Sequence, residues 1–94
     1  MAEATLYVIA YDIPNDRRRS KVHKTLCGYG DWTQYSVFEC WLTKQHLVEL
    51  RAKLNVHLVP AEDSIRFYPL CQACVARTIT VGSAPPKDAV TILL

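Results

Sequence analysis

The pattern of apolar and polar positions predicts a strand followed by a helix at the start of the chain. Residues 5–11 are apolar, aromatic or β-branched at both alternating sets of positions, which is typical of a strand covered on both faces. A helix is predicted next, with Asn15 or Asp16 as its N-cap. Gly28 and Gly30 are expected to end this helix.

The rest of the chain continues this alternation. Residues 31–42 are rich in aromatic and β-branched side chains and predict two short strands or one bent strand. Thr43 is predicted to cap a second, amphipathic helix, and residues 64–70 alternate as a further strand. Residues 75–81 predict one more strand. The element order favours an α+β fold, a ferredoxin-like βαββαβ sandwich with an extra C-terminal strand.

Two helices can cover only one face of such a sheet. Because residues 5–11 are apolar on both faces, the other face is predicted to meet a second subunit in a symmetric homodimer. Residues 1–82 are the predicted domain. Residues 83–94 are a proline-containing linker and an apolar C-terminal strand, which is expected to add to the chain's own sheet or to the partner's.

Composition narrows the class of protein. The chain has 94 residues, half of them hydrophobic, which fits one domain. The longest nearly apolar run, residues 4–11, is far shorter than the roughly 20 residues of a membrane span. The N-terminus lacks the cationic region of a signal peptide. We therefore expect a cytoplasmic protein whose cysteines are thiols and which has no membrane partner.

The net charge of +2 is small, but the cations are unevenly distributed. Five of them lie within eight residues that contain no acid: Arg17, Arg18, Arg19, Lys21 and Lys24. The three arginines fall in the first turn of the predicted helix, where a cation is unfavourable by roughly 0.3 to 1 kcal/mol. Folding alone would not select them, so they predict a phosphate-binding site. A solvated cationic face is the structural alternative.

Asp12 follows the first predicted strand directly, at its carboxyl end, where ligands collect in α/β sheets. An acid at such a place is costly unless it is solvated, paired or bound to a metal. Capping of the next helix is the structural alternative, but Asn15 and Asp16 are better placed for it. Asp12 is therefore a candidate functional residue.

Cys71 and Cys74 have the spacing of half a zinc site, but no second Cys or His pair completes it. A thioredoxin-like pair normally begins a helix after an early strand, whereas this pair follows Pro69 late in the chain. Small side chains at a strand end are the structural interpretation. A metal-carrying domain that uses this pair is a further functional alternative, and the sequence leaves the pair's purpose open.

Four sequence blocks follow one another along the chain: LYVIAYDI at 6–13, DRRR with KV at 16–22, QYSVFE at 34–39 and DSIRFYPLC at 63–71. In this order and spacing they resemble the Cas2 family of small CRISPR-associated proteins of spacer acquisition. The resemblance covers about residues 4–82. Family members often have an arginine just before the QYSVFE block. This chain has Trp32 and Thr33 there. Trp32 is predicted to be buried or interfacial rather than to stack on bases.

The resemblance implies a ferredoxin-like homodimer in which Asp12 of each protomer holds one shared divalent cation, Mg²⁺ or Mn²⁺. It implies a metal-dependent endonuclease that cleaves phosphodiester bonds of RNA, double-stranded DNA or both, with Asp12 as the catalytic residue. Tyr11, Ser36 and Phe38 would support the site, and the five cations would hold the nucleic-acid backbone. The alternative is a non-catalytic scaffold that binds nucleic acid and bridges dimers of the CRISPR integrase, the larger adaptation protein.

Overall fold

The computed structural model of the chain describes residues 3–82. Its elements are β1 (Thr5–Asp12), α1 (Asp16–Cys27), β2 (Asp31–Gln34), β3 (Val37–Leu42), α2 (Lys44–Asn55), β4 (Ser64–Leu70) and α3 (Gln72–Ala76). The predicted β-α-β-β-α-β order is therefore confirmed. Across the described residues, no helix is long and apolar enough to cross a membrane.

The four strands form one sheet in the order β2-β3-β1-β4, and all neighbours are antiparallel. Since β2 and β1 are both antiparallel to β3, they run parallel to each other with β3 between them. This is the split βαβ arrangement of the ferredoxin-like fold. β1 is a central strand, and Ile9 pairs with Phe38 on one side and with Phe67 on the other.

The hydrophobic core lies between the sheet and the helices α1 and α2. Val22 and Leu26 of α1 and Leu50 and Leu54 of α2 are almost completely buried. They pack with alternate residues of the two central strands: Ile9, Tyr11, Phe38, Cys40 and Leu42. Both helices therefore cover the same face of the sheet, as the sequence predicts.

The opposite face of the sheet, here called the outer face, is apolar along β1, with Glu39 beside Val8 and Arg66 beside Ala10 on the neighbouring strands. In β1 it carries Leu6, Val8 and Ala10, which alternate with the core residues. Leu6 is buried beside its register partners Trp41 and Leu70, while Val8 and Ala10 remain half-buried. This face therefore keeps apolar side chains that α1 and α2 do not cover.

Both predicted helix caps are confirmed. The Asn15 Oδ1 atom accepts a hydrogen bond from the Arg18 backbone N–H at 2.9 Å, so Asn15 rather than Asp16 is the N-cap of α1. Thr43 accepts a hydrogen bond from the His46 N–H at 3.1 Å and caps α2. Each cap satisfies a donor that the first helical turn cannot satisfy internally.

The glycines after α1 act differently from each other. α1 ends at Cys27, and Gly28 caps it with right-handed backbone angles that any residue can adopt. Gly30 is required for space, because a Cβ there would overlap the Cys40 sulfur and the Glu39 carbonyl oxygen. Gly30 thus allows the chain to pass closely against β3 on its way into β2.

The predicted strand at residues 75–81 is wrong. Residues 72–76 form the short helix α3, and residues 78–82 have no regular structure. Local bonds explain the helix, because Cys71 accepts from the Cys74 N–H at 3.4 Å and the Thr78 hydroxyl donates to the Cys74 carbonyl at 3.1 Å. Such bonds compete with strand pairing. The predicted linker and terminal strand at 83–94 lie outside the described residues.

Candidate active site at the carboxyl end of the first strand

Asp12 is the last residue of β1 and is exposed. By strand alternation it belongs to the outer face, with Leu6, Val8 and Ala10, and it pairs in register with Ser64 at the start of β4. Within residues 3–82, no side chain or backbone group bonds to its carboxylate. Helix capping is performed by Asn15, so no interaction among residues 3–82 gives the Asp12 carboxylate a structural role.

The chemistry of Asp12 fits a hard divalent cation, since carboxylate oxygens are the donors that Mg²⁺ and Mn²⁺ prefer. One carboxylate is not a complete site. Across the part of the chain that the structure describes, no group of three or more His, Cys, Asp or Glu side chains is placed to hold a metal. The described residues of one chain therefore supply one carboxylate that suits Mg²⁺ or Mn²⁺. Further oxygen ligands for the cation would have to come from another source.

The three residues expected to support Asp12 are brought together beneath it. The Tyr11 N–H donates to the Ser36 carbonyl at 3.0 Å, and the Tyr11 ring lies 6.3 Å from the Phe38 ring. The Tyr11 hydroxyl and the His23 Nδ1 atom are hydrogen-bonded at 3.1 Å. Burial raises the pKa of Tyr11, and the interaction of its hydroxyl with the Ser36 side chain offsets only part of that rise.

These contacts lie on the helix-covered face, whereas Asp12 belongs to the outer face. Tyr11 and Phe38 are both buried in the core. They consequently fix the position of the strand end, and do not line the surface that Asp12 presents. His23 is half-buried and joins this group through its contact with Phe38.

Arg18 binds two acids of the chain, which gives it a structural role beside its predicted role as a phosphate ligand. Its Nε and Nη2 atoms donate to both oxygens of Asp63 at 2.7 and 3.0 Å, and Nη2 also reaches Glu62 at 3.0 Å. The Asp63 side chain is fully buried and accepts a further bond from the Val59 N–H at 3.0 Å. The Arg18 hydrogen bonds hold the pKa of Asp63 below its usual range.

Arg19 is also engaged within the chain. Its Nη1 atom donates to the carbonyl oxygens of Ile13 and Pro14 at 2.9 and 3.3 Å, and its Nη2 atom pairs with Asp16. These bonds hold the segment that connects Asp12 to α1. Arg19 therefore positions the chain beside Asp12, and its guanidinium is only partly available to a ligand.

The remaining three cations form one exposed row. Arg17, Lys21 and Lys24 are exposed, and no described residue pairs with their side chains. Their spacing of four and then three residues places them on one face of α1. We call these three residues the cationic row. A row of unpaired cations at this spacing suits a phosphate backbone.

Within residues 3–82, Trp32 is not buried, so of its two predicted roles only the interfacial one remains a prediction. Its side chain is 58% exposed, and Tyr35 in the following turn is 87% exposed. The Trp32 indole N–H donates to the Tyr35 carbonyl at 2.7 Å, and its ring packs edge-on against His23 at 5.4 Å. β2 is a short edge strand, so no neighbouring strand covers this side chain.

Comparison with known proteins agrees with this architecture. The family model described as CRISPR associated protein Cas2 matches residues 5–78. A relative named CRISPR-associated endoribonuclease Cas2 3, from Synechocystis, is 50% identical over 80 residues, which are 85% of this chain and 87% of the relative.

Two solved structures have the same fold. The crystal structure of Streptococcus pyogenes Cas2 at pH 6.5 has a TM-score of 0.72 and 32% identity, covering 82% of this chain and 99% of the other. A chain of a partial Cas6-RT-Cas1–Cas2 complex has a TM-score of 0.72 and 26% identity, with coverages of 90% and 98%. The chain belongs to the Cas2 family of CRISPR associated proteins.

Proposed function

We propose that the protein is a metal-dependent endonuclease of CRISPR adaptation, which hydrolyses phosphodiester bonds of RNA, double-stranded DNA or both. The observation that carries this proposal is Asp12, an exposed carboxylate at the end of β1 without a partner among the described residues. A relative that is 50% identical is named an endoribonuclease. This name supports a nuclease, and the position of Asp12 supplies the candidate centre.

The proposed active unit is a homodimer joined through the outer faces of two sheets. Val8 and Ala10 of β1 are only half-buried there, and Trp41 of β3 lies on the same face and is also half-buried. Covering such a face stabilises a small domain by removing apolar area from water. Because Asp12 lies at the end of this face, a twofold axis there would bring the two Asp12 carboxylates together.

Two carboxylates brought close repel each other, and a divalent cation relieves that repulsion. Asp12 of each protomer would hold the cation, most suitably Mg²⁺ or Mn²⁺. When bound, such a cation supplies an activated water and stabilises charge on the attacked phosphate. The buried Tyr11 and Phe38 and the half-buried Ser36 hold the strand end in place. Asp12 thereby keeps a fixed position, which a metal ligand requires.

Substrate binding is assigned to the cationic row of Arg17, Lys21 and Lys24. Contacts to phosphates give affinity without sequence specificity and fall with rising salt. Arg18 is not included in the proposed row, because its guanidinium bonds to Asp63 and Glu62. Arg19 contributes by holding the segment between Asp12 and α1.

A second candidate function is a non-catalytic scaffold that binds nucleic acid and contacts the CRISPR integrase. The match to a chain of a partial Cas6-RT-Cas1–Cas2 complex favours it, and it makes a Cas1-type integrase the proposed partner. The cationic row serves either function. The two candidates therefore differ only in what Asp12 does.

A cleavage assay with and without Mg²⁺, on single-stranded RNA and on double-stranded DNA, separates them. We expect Mg²⁺-dependent cleavage by the unmodified chain and a loss of about 100-fold or more in Asp12→Asn, because that change removes a metal ligand. Glu49→Gln is the matched control, since Glu49 is an exposed acid on α2, remote in sequence from the site.

Equal cleavage by the unmodified chain and Asp12→Asn would remove the catalytic role of Asp12. Binding of both nucleic acids without cleavage at any Mg²⁺ concentration would instead establish the scaffold function. Gel filtration of both proteins controls for assembly. A dimer that forms in both shows that reduced cleavage comes from the carboxylate and not from impaired association.

A further inference from the structure

Cys71 and Cys74 lie together on the surface, at the end of β4. Cys71 directly follows Leu70, the last residue of this strand, and is the N-cap of α3. Both thiols are exposed. The Cys74 backbone N–H donates to the Cys71 sulfur at 3.4 Å, and the Val75 N–H donates to the Cys71 carbonyl at 3.0 Å. These bonds hold the two cysteines one helical turn apart.

The two thiols are electrostatically unequal. The Cys74 backbone N–H, which donates to the Cys71 sulfur at 3.4 Å, lowers the pKa of Cys71 together with the Cys74 side chain. The Cys71 side chain raises the pKa of Cys74. Thiolates are the nucleophiles of cysteine chemistry, so Cys71 is the more reactive member and Cys74 stands beside it.

The other two cysteines lack this arrangement. Cys27 is exposed at the end of α1, and no thiol of the described chain lies beside it. Cys40 is buried, and burial raises its pKa to about 12. The chain therefore contains one adjacent, accessible thiol pair among residues 3–82, together with one exposed and one buried cysteine as internal references.

We propose that Cys71 and Cys74 form a reversible dithiol–disulfide site that reacts with low-molecular-weight disulfides of the glutathione class. The Cys71 thiolate attacks one sulfur of the small disulfide, forms a mixed disulfide and releases one small thiolate. The Cys74 thiol then loses its proton and attacks the Cys71 sulfur, which expels the second small thiolate. Two cysteine thiols are oxidised to one disulfide, and one small disulfide is reduced to two thiols.

The sequence argued against a thioredoxin-like role, because such a pair normally begins a helix after an early strand. The pair does begin a helix, although that helix follows the last strand of the sheet rather than an early one. A structural zinc site is not favoured, because zinc needs about four ligands and the described residues offer no group of three or more. The hydrogen bond from the Cys74 N–H to the Cys71 sulfur instead holds the pair in a position that favours a disulfide bond between them.

The pair is separate from the proposed nuclease centre. β1 and β4 are antiparallel, with Asp12 opposite Ser64 at one end and Leu6 opposite Leu70 at the other. At about 3.4 Å per residue, the length of β4 puts Cys71 roughly 20 Å from the end of the sheet that carries Asp12. Failure of either proposal therefore leaves the other intact.

The test exposes the full reduced chain to oxidised glutathione and follows the products by mass spectrometry of the intact protein and of its peptides. We expect a disulfide that links Cys71 to Cys74 within one chain and is reversed by reduced glutathione. Cys74→Ser removes the second thiol, so the mixed disulfide with glutathione should accumulate at Cys71. It should form about tenfold faster there than at Cys27.

Cys71→Ser and Cys27→Ser are the matched variants. Cys71→Ser keeps an N-cap oxygen for α3, and it should abolish the internal disulfide without unfolding the chain. Cys27→Ser should leave the internal disulfide unchanged. The proposal is overturned if only disulfides between chains form, or if glutathione adds to Cys27 as fast as to Cys71 in Cys74→Ser. An unreacted pair at high oxidised glutathione would overturn it equally.

Discussion

Two aspartates at the same end of the sheet have opposite environments. Asp12 ends β1, and Asp63 immediately precedes β4, whose first residue pairs with Asp12. The Asp63 side chain is fully buried and receives bonds from Arg18 and from the Val59 N–H. Asp12 is exposed, and none of the described residues bonds to it.

The difference follows from the face of the sheet on which each acid lies. Asp63 lies next to α1, where burial would be costly without a charged partner, and Arg18 supplies that partner with two hydrogen bonds. Asp12 lies on the outer face, where solvent or a second molecule provides its surroundings. Asp63 therefore stabilises the fold, and Asp12 remains accessible to a ligand.

Replacing each aspartate by asparagine tests this contrast most strongly. Asp63→Asn leaves Arg18 without its main partner and should lower the Tm by on the order of 10 °C. Asp12→Asn should change the Tm by no more than about 2 °C, because it breaks no bond within the described chain. Thermal denaturation followed by circular dichroism measures both. Equal Tm decreases in the two variants would refute the division into structural and free acids.

The arginines offer a parallel test with a smaller effect. Arg17→Ala should weaken nucleic-acid binding about equally across sequences, and the slope of log Kd against log salt should fall by about one, because the variant neutralises one phosphate fewer. Arg18→Ala should lower the Tm and leave that slope unchanged, because Arg18 is bound to Asp63 and Glu62. Fluorescence anisotropy at several salt concentrations provides the slopes. A smaller slope in Arg18→Ala alone would reverse the assignment.

The smallest expected effect is the pH dependence of the stability that Asp63 contributes. Its pKa is lowered in the folded chain by Arg18, so its contribution to stability is fully present above the unfolded value of about 4. That contribution is lost as pH falls through the folded pKa, which lies lower. The Tm gap between the unmodified chain and Asp63→Asn should therefore be constant from about pH 7 to pH 5 and shrink below about pH 4.

If the Tm difference between the unmodified chain and Asp63→Asn is as large at the lowest pH as at pH 7, the difference in stability comes from packing and not from the ion pair.

Sequence patterns predicted the local elements well because short-range rules control them. Asn15 and Thr43 cap their helices, and apolar alternation identifies β1 and β4. The same reasoning failed for residues 75–81, where bonds at Cys71 and Thr78 favour a turn of helix over a strand. β-branched composition alone could not reveal that competition.

The site was predicted less completely, because its partners are distant in the chain. Asp12 could be selected from its place after an apolar strand, and no described residue bonds to it in the structure. The three arginines could not be separated, since Arg18 meets an acid 45 residues away. Trp32 was expected to be buried or interfacial, and its position on a short edge strand leaves it exposed among the described residues.

The sequence by itself determined the order of strands and helices, the two helix caps, the candidate acid Asp12 and the resemblance to the Cas2 family. These depend on periodicity, on capping over three residues and on local motifs. Only the tertiary structure decided which of the described cations are free, which acid is buried and that Cys71 and Cys74 adjoin. Those outcomes depend on which side chains the folded backbone places within hydrogen-bonding distance, and spacing along the chain does not contain that information.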